Sequence, residues 1–198
     1  MLNKTLESQN QFINALKNPE TQASAFTKLL ADYKERLYWH IRKIVIEHDD
    51  ADDVLQNTIA LAAFIPVIIG MGGNIGTQSS TIIVRGLATG RVGFENSAKI
   101  LFKEIRVGLI LGILYGILLG LFAIFRFLEI SPILGLVVGL SICASMLIAA
   151  TIGSLVPLIL DRFDIDPAVA TGPFVTTAID ILGVALYFWI AGALFNLA

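Results

Sequence analysis

Beyond Thr58 the chain falls into long apolar runs with almost no charge inside them, and that pattern leaves few folds open. Ile59–Val84 and Ile130–Leu160 contain no charged residue, and Val107–Phe125 is nineteen uncharged residues held between Arg106 and Arg126. Pro167–Ala198 holds a single charge, Asp180. A bilayer core about 30 Å thick needs about 20 apolar residues of helix, and within lipid each backbone group must be satisfied by its own segment. The expectation is an all-α, polytopic transmembrane helical bundle of about four spans, preceded by a soluble helical N-terminal segment.

Charge divides the chain in the same way. Residues 1–58 hold 7 basic and 9 acidic residues, and the much longer stretch 59–198 holds only 7 of each. Two domains are therefore expected, 1–58 and 59–198, joined near Thr58. Across all 198 residues 56% are apolar and 15% charged, which excludes an ordinary soluble domain. Met1–Asn10 lacks the basic-then-apolar pattern of a signal peptide. The lone Cys143 sits in an apolar run, where it reads as packing and says nothing of redox compartment.

The one acid inside these runs carries the functional reading. Asp180 is expected roughly 20 Å from the Pro167 end of its run, at a helical rise of about 1.5 Å per residue. A carboxylate at such depth costs on the order of 3 kcal/mol, so it persists where it meets water, an ion or a partner. Gly172, Thr176 and Asp180 follow at i, i+4 and i+8, which puts a bare backbone, a hydroxyl and a carboxylate on one helix face. That stripe suits the wall of a cation path; a protonated, hydrogen-bonded Asp that locks two helices together is the competing reading.

Other segments constrain the bundle. Gly70-Met71-Gly72-Gly73-Asn74-Ile75-Gly76 places four glycines in seven residues, each weakening a helix by about 1 kcal/mol, so a break or close backbone contact is expected, with Pro66 adding a kink. Thr77, Gln78, Ser79, Ser80 and Thr81 supply oxygens suited either to hard cations or to interhelical hydrogen bonds. Arg85, Arg91, Lys99, Lys103 and Arg106 mark a cytoplasmic connection, with an interfacial helix expected over Asn96–Ile105. Gly108, Gly112, Gly116 and Gly120 form a smooth ridge for helix packing. Pro132 and Pro157 stand near the two ends of the third span, and Asp161–Pro167 reads as a polar loop whose aspartates are solvated or draw cations toward a pore mouth.

In residues 1–58, Phe26, Leu29, Leu30, Tyr33, Leu37, Ile41, Ile44 and Val45 recur at helical spacing between charged residues, an amphipathic pattern. His48–Asp53 reads as a short turn in which Asp49 or Asp50 caps a following helix; it lacks the glycine and terminal glutamate of a calcium loop. Phe26–Thr58 resembles the second conserved region of extracytoplasmic-function sigma factors, through Tyr33, Arg36, Leu37, Ile41, Asp50, Ala51, Asp53, Val54, Gln56 and Asn57. The resemblance implies an incomplete RNA polymerase-contact module. The promoter-melting helix does not follow, and a formal charge of −2 over residues 1–58 argues against direct DNA binding.

Two separated stretches, PVIIGMGGNIGTQSSTIIVRGLATG (66–90) and DPAVATGPFVTTAIDILG (166–183), are similar to the membrane domain of MgtE-type magnesium transporters. The resemblance runs from about Ile59 to the carboxyl terminus. It implies a homodimer in the bacterial inner membrane, five spans per subunit, and a twofold pore lined by the second and fifth. A hydrated Mg²⁺, as transported ion, is then expected at Asp180 with the backbone of Thr176 contributing, while Gly72, Gly73 and Asn74 match the glycine-rich break beside the pore and Gly172 belongs to the path. Against the family pattern, residues 59–198 are expected to lack the first span and the cytoplasmic sensing domains. With the basic connection inside, residues 1–58 fall outside the cell, so the two halves read as a fusion.

Divalent cation transport is the leading function. A membrane-tethered polymerase-binding protein, or a fusion product without activity, is the rival. No enzyme is expected: an aspartyl intramembrane protease needs two acids where the spans hold one, and no HExxH motif occurs.

Overall fold

The structure, a computed structural model, describes residues 22–45, 48–93, 96–128, 130–168 and 172–195. Among the described residues the regular elements are five α-helices: α1 (Gln22–Arg42), α2 (His48–Ala88), α3 (Ser97–Arg126), α4 (Ile133–Arg162) and α5 (Pro173–Phe195). No strand occurs among the described residues. Four of the helices are long and apolar enough to cross a membrane, over Ala51–Ala88, Ser97–Arg126, Ile133–Arg162 and Pro173–Phe195. The expected helical transmembrane bundle is what the chain forms. It divides into two compact units, Met1–Thr58 and Ile59–Ala198, with the boundary inside α2.

In the first unit, α1 follows the amphipathic pattern, and its Tyr33, Leu37 and Trp39 are exposed. His48–Asp53 is already helical, where a turn was expected.

The second unit is held together by glycine. The ridge on α3 is buried against α4 along its whole length. A Cβ on Gly112 would stand 2.9 Å from the Cys143 carbonyl oxygen, one on Gly116 2.6 Å from that of Gly139, and one on Gly120 2.8 Å from that of Gly135. The contacts run in opposite chain directions, so α3 and α4 are antiparallel with their backbones nearly touching. Small residues of this kind replace the hydrophobic drive that lipid does not supply. The apolar core lies between α2, α4 and α5, with Phe64, Ile68, Ile142, Met146, Ile179 and Tyr187 all nearly inaccessible. Tyr187 also donates its hydroxyl to the Leu61 carbonyl at 2.9 Å, tying α5 to α2.

Several boundaries differ from expectation. The break foreseen at Gly70–Gly76 is absent: α2 runs unbroken for 41 residues through Pro66 and all four glycines. Helix propensity is overridden because an interrupted backbone in lipid leaves N–H and C=O groups unsatisfied, at several kcal/mol each. The alternative expectation, a close backbone contact, holds at Gly72 and Gly76, which pack on Ser145, Ile179 and the backbone of α4, whereas Gly70 has open space beside it and Gly73 has only Asp180 Oδ1, at 4.0 Å from its Cβ position. The interfacial helix foreseen over Asn96–Ile105 is the first third of α3, not a separate element. Pro132 caps α4, Pro157 lies within it, and Asp161 and Arg162 extend that helix into the expected loop.

Candidate ion path

The site is built where α5 crosses α2. A Cβ on Gly76 would collide with Ile179 Cδ1, and one on Gly72 would stand 3.1 Å from Ile179 Cγ2 and 3.0 Å from Ser145 Oγ. With Ile179 wedged onto the glycines, the next residue is turned by about 100° and comes to the edge of the contact. That residue is Asp180. Its Oδ1 lies 4.0 Å from the position a Cβ on Gly73 would take, and the oxygen is enclosed, with no hydrogen-bond partner among the described residues. α5 begins at Pro173, so Asp180 lies about 10 Å into the helix, shallower than the 20 Å expected from Pro167.

Beside Asp180, α2 presents a polar face outward. Asn74, Thr77, Gln78 and Thr81 are all exposed, and their spacing of i, i+3, i+4 and i+7 is one helical stripe. The hydroxyl of Thr77 donates to the Gly73 carbonyl and that of Thr81 to the Thr77 carbonyl, both at 2.8 Å. Each hydroxyl proton is thereby used on the helix itself, and the oxygen is left as an acceptor. Thr176 does the same on α5, donating to the Pro173 carbonyl at 3.2 Å. Gly172 precedes the helix, and its carbonyl accepts the Thr176 N–H at 3.4 Å.

The residues singled out from sequence thus separate into two groups. Asp180, Gly73, Asn74 and Thr176 lie on accessible or half-buried surface around the α2–α5 contact. Gly72 is buried against α4 and α5, where it acts in packing. The Thr77–Thr81 patch splits as well: Ser79 is buried and donates to Glu104 Oε2 at 3.0 Å, while Ser80 is fully buried without a hydrogen-bond partner among the described residues.

Two features escaped the sequence reading. Ser145 Oγ sits between Gly72 and Gly183, 3.0 Å from a Cβ on either, and has no hydrogen-bond partner among the described residues. Glu104, 6% exposed in α3, is a second acid inside a span, where the sequence count gave Asp180 alone. Its signal was its register: Glu104 continues the ridge of Gly108, Gly112, Gly116 and Gly120 by one further step of four. Among the described residues no three of His, Cys, Asp and Glu gather into a cage for a bare metal ion.

Comparison with known proteins agrees with this architecture. Residues 65–190 match the family model MgtE, described as divalent cation transporter. The magnesium transporter MgtE of Bacillus subtilis is 35% identical over 142 residues, which is 72% of this chain and 31% of that protein. The same transporter from Thermus thermophilus is 36% identical over 140 residues, 71% of this chain and 30% of that one. That of Enterococcus faecalis is 33% identical over 163 residues, 79% and 36% of the two chains. The chain therefore spans about a third of the length of the relatives it matches. The family match begins at residue 65 and does not extend to the sigma-like segment Phe26–Thr58. By the match over most of its membrane-spanning part, the chain belongs to the MgtE family of divalent cation transporters.

Proposed function

We propose that residues 59–198 form a passive path for divalent cations across the cell membrane, with Mg²⁺ as substrate and Asp180 as the group that attracts it. The observation that carries this reading is the exposed stripe Asn74, Thr77, Gln78 and Thr81 lying alongside Asp180 on one side of the subunit. Four polar side chains at membrane depth are poorly accommodated by lipid, and such groups face a bundle interior or a water-filled passage.

The chemistry of the face suits a hydrated ion. Mg²⁺ gives up its waters reluctantly, and those waters present only hydrogens outward. A path for such an ion needs acceptors. The Thr77, Thr81 and Thr176 oxygens have spent their protons on their own helices, and an ionised Asp180 offers acceptors alone. Selectivity would follow from the fit of the hydrated ion to these oxygens, with Gly172 and Gly73 keeping the wall low.

One Asp180 neutralises half the charge of a divalent ion. Two copies of the subunit about a twofold axis, each presenting α2 and α5, would supply two carboxylates and cover both polar stripes. The relatives named above are magnesium transporters, which supports the choice of ion.

The test is growth of a bacterial strain dependent on added Mg²⁺. The full chain should restore growth at low Mg²⁺ and Asp180→Ala should not. Equal growth with both would remove Asp180 from the path.

A further inference from the structure

Glu104 is a carboxyl group that the proposed path does not use. It is 6% exposed, and the Ser79 hydroxyl is its hydrogen-bond donor at 3.0 Å. Among the described residues it has no cationic partner. Burying an acid without a counter-charge is costly, and an apolar pair would hold two helices at less expense. Its retention calls for a property that apolar contact lacks, namely direction.

Three helices bring polar atoms to this level. Gly108 packs on Ala150 and the Met146 carbonyl, so one turn further the antiparallel register of α3 and α4 sets Glu104 level with Ser154. Gly76 meets Ala149 and Gly153, so the parallel register of α2 and α4 carries Ser79 and Ser80 to the same height. Ser79 is nine residues before the end of α2, Glu104 seven after the start of α3, and Ser154 eight before the end of α4. At about 1.5 Å per residue, all lie about 10–14 Å inside the bundle. The hydroxyls of Ser80 and Ser154 are fully buried and unpartnered among the described residues.

Phe64 and Ile68 seat the earlier part of α2 in the core, whereas beside Asp180 the helix meets α4 and α5 through Gly72 and Gly76, which have no side chain to interlock. Rotation matters to the path. Turning α2 by a single residue position, about 100°, would carry Asn74, Thr77, Gln78 and Thr81 away from Asp180. Ser79 lies six residues, about 9 Å, beyond Gly73 on the same helix. We propose that Glu104 is a positioning residue that sets the rotation of α2, and hence the polar stripe, through the Ser79 hydrogen bond. The transport consequence rests on the function proposed above.

The test compares Glu104→Ala, Glu104→Gln, Ser79→Ala, the Ser79→Ala/Glu104→Ala double variant and Asp180→Ala in the full chain. A spin label attached through Asn74→Cys, in a Cys143→Ala background, reads the rotation whether or not the chain conducts. Its mobility and oxygen accessibility should shift in Glu104→Ala and Ser79→Ala. They should be unchanged in Glu104→Gln, whose amide oxygen accepts the same bond. In Mg²⁺ uptake by proteoliposomes, the two alanine variants should lose maximal rate about tenfold, the order of one buried hydrogen bond. The half-saturating Mg²⁺ should not move, and the double variant should be no worse than either single one. A label that stays put in Glu104→Ala overturns the proposal. So does a Glu104→Gln variant as impaired as Glu104→Ala, because the charge itself would then be required. A label that moves as stated, with uptake unaffected by Asp180→Ala, supports the positioning role and overturns the transport reading alone.

Discussion

Asp180 Oδ1 stands 4.0 Å from the point where a Cβ on Gly73 would be, so α2 leaves the carboxylate room by having no side chain there. An added methyl at that distance is an ordinary van der Waals contact. Gly73→Ala should therefore fold and gain about 1 kcal/mol of helix stability. It should also close the space beside Asp180 and lower Mg²⁺ flux. Melting in detergent and uptake in liposomes should move in opposite directions; loss of both together would make Gly73 a packing residue only.

Gly153→Ala should behave differently. Its Cβ would press into the backbone of Gly76, whose C and Cα both lie 3.0 Å away. Backbone cannot rotate aside as a side chain can, so the cost is about 1–3 kcal/mol or more. Gly192, with nothing within 4 Å of its Cβ position, is the control. Melting temperature should fall for Gly153→Ala and rise slightly for Gly192→Ala, which gains helix propensity at no steric cost.

Removal of one hydroxyl should loosen α5 from α2. Tyr187 is fully buried and its hydroxyl donates to the Leu61 carbonyl at 2.9 Å. Tyr187→Phe keeps the ring and deletes the bond, at a cost of about 1 kcal/mol. A lower melting temperature in detergent would show it, and an unchanged one would make the bond energetically silent.

Subunit pairing about the polar stripe predicts a crosslink. In a Cys143→Ala background, Asn74→Cys should form covalent dimers on oxidation in membranes. Ile117→Cys, on an exposed apolar face of α3, should not. Dimers from the second site and none from the first would place the interface elsewhere.

Much of this was legible in the residues. Charge-free runs located the spans because lipid tolerates few alternatives, and the spacing of four between Gly108 and Gly120 announced the α3–α4 contact. Asp180 stood out as an acid in an apolar run. The continuity of α2 did not, because propensity scales built on water-exposed helices penalise Gly70, Gly72, Gly73 and Gly76, whereas a bilayer penalises an open backbone more. Glu104 was hidden among Lys99, Lys103 and Arg106, which read as an interface. Only its place on the glycine ridge shows that it turns inward while those neighbours remain exposed. Ser145 and Ser154 are small enough to pass as apolar filling, and their burial depends on where Gly72, Gly76 and Gly183 lie.

The account depends most on one carboxylate meeting a hydrated cation. Mg²⁺ entry into liposomes that carry the full chain and an internal Mg²⁺ indicator tests it directly, with Asp180→Asn as the shape-preserving comparison. The account predicts saturable entry for the natural chain and, for Asp180→Asn, the leak of protein-free liposomes. Entry through Asp180→Asn at the natural rate would contradict it.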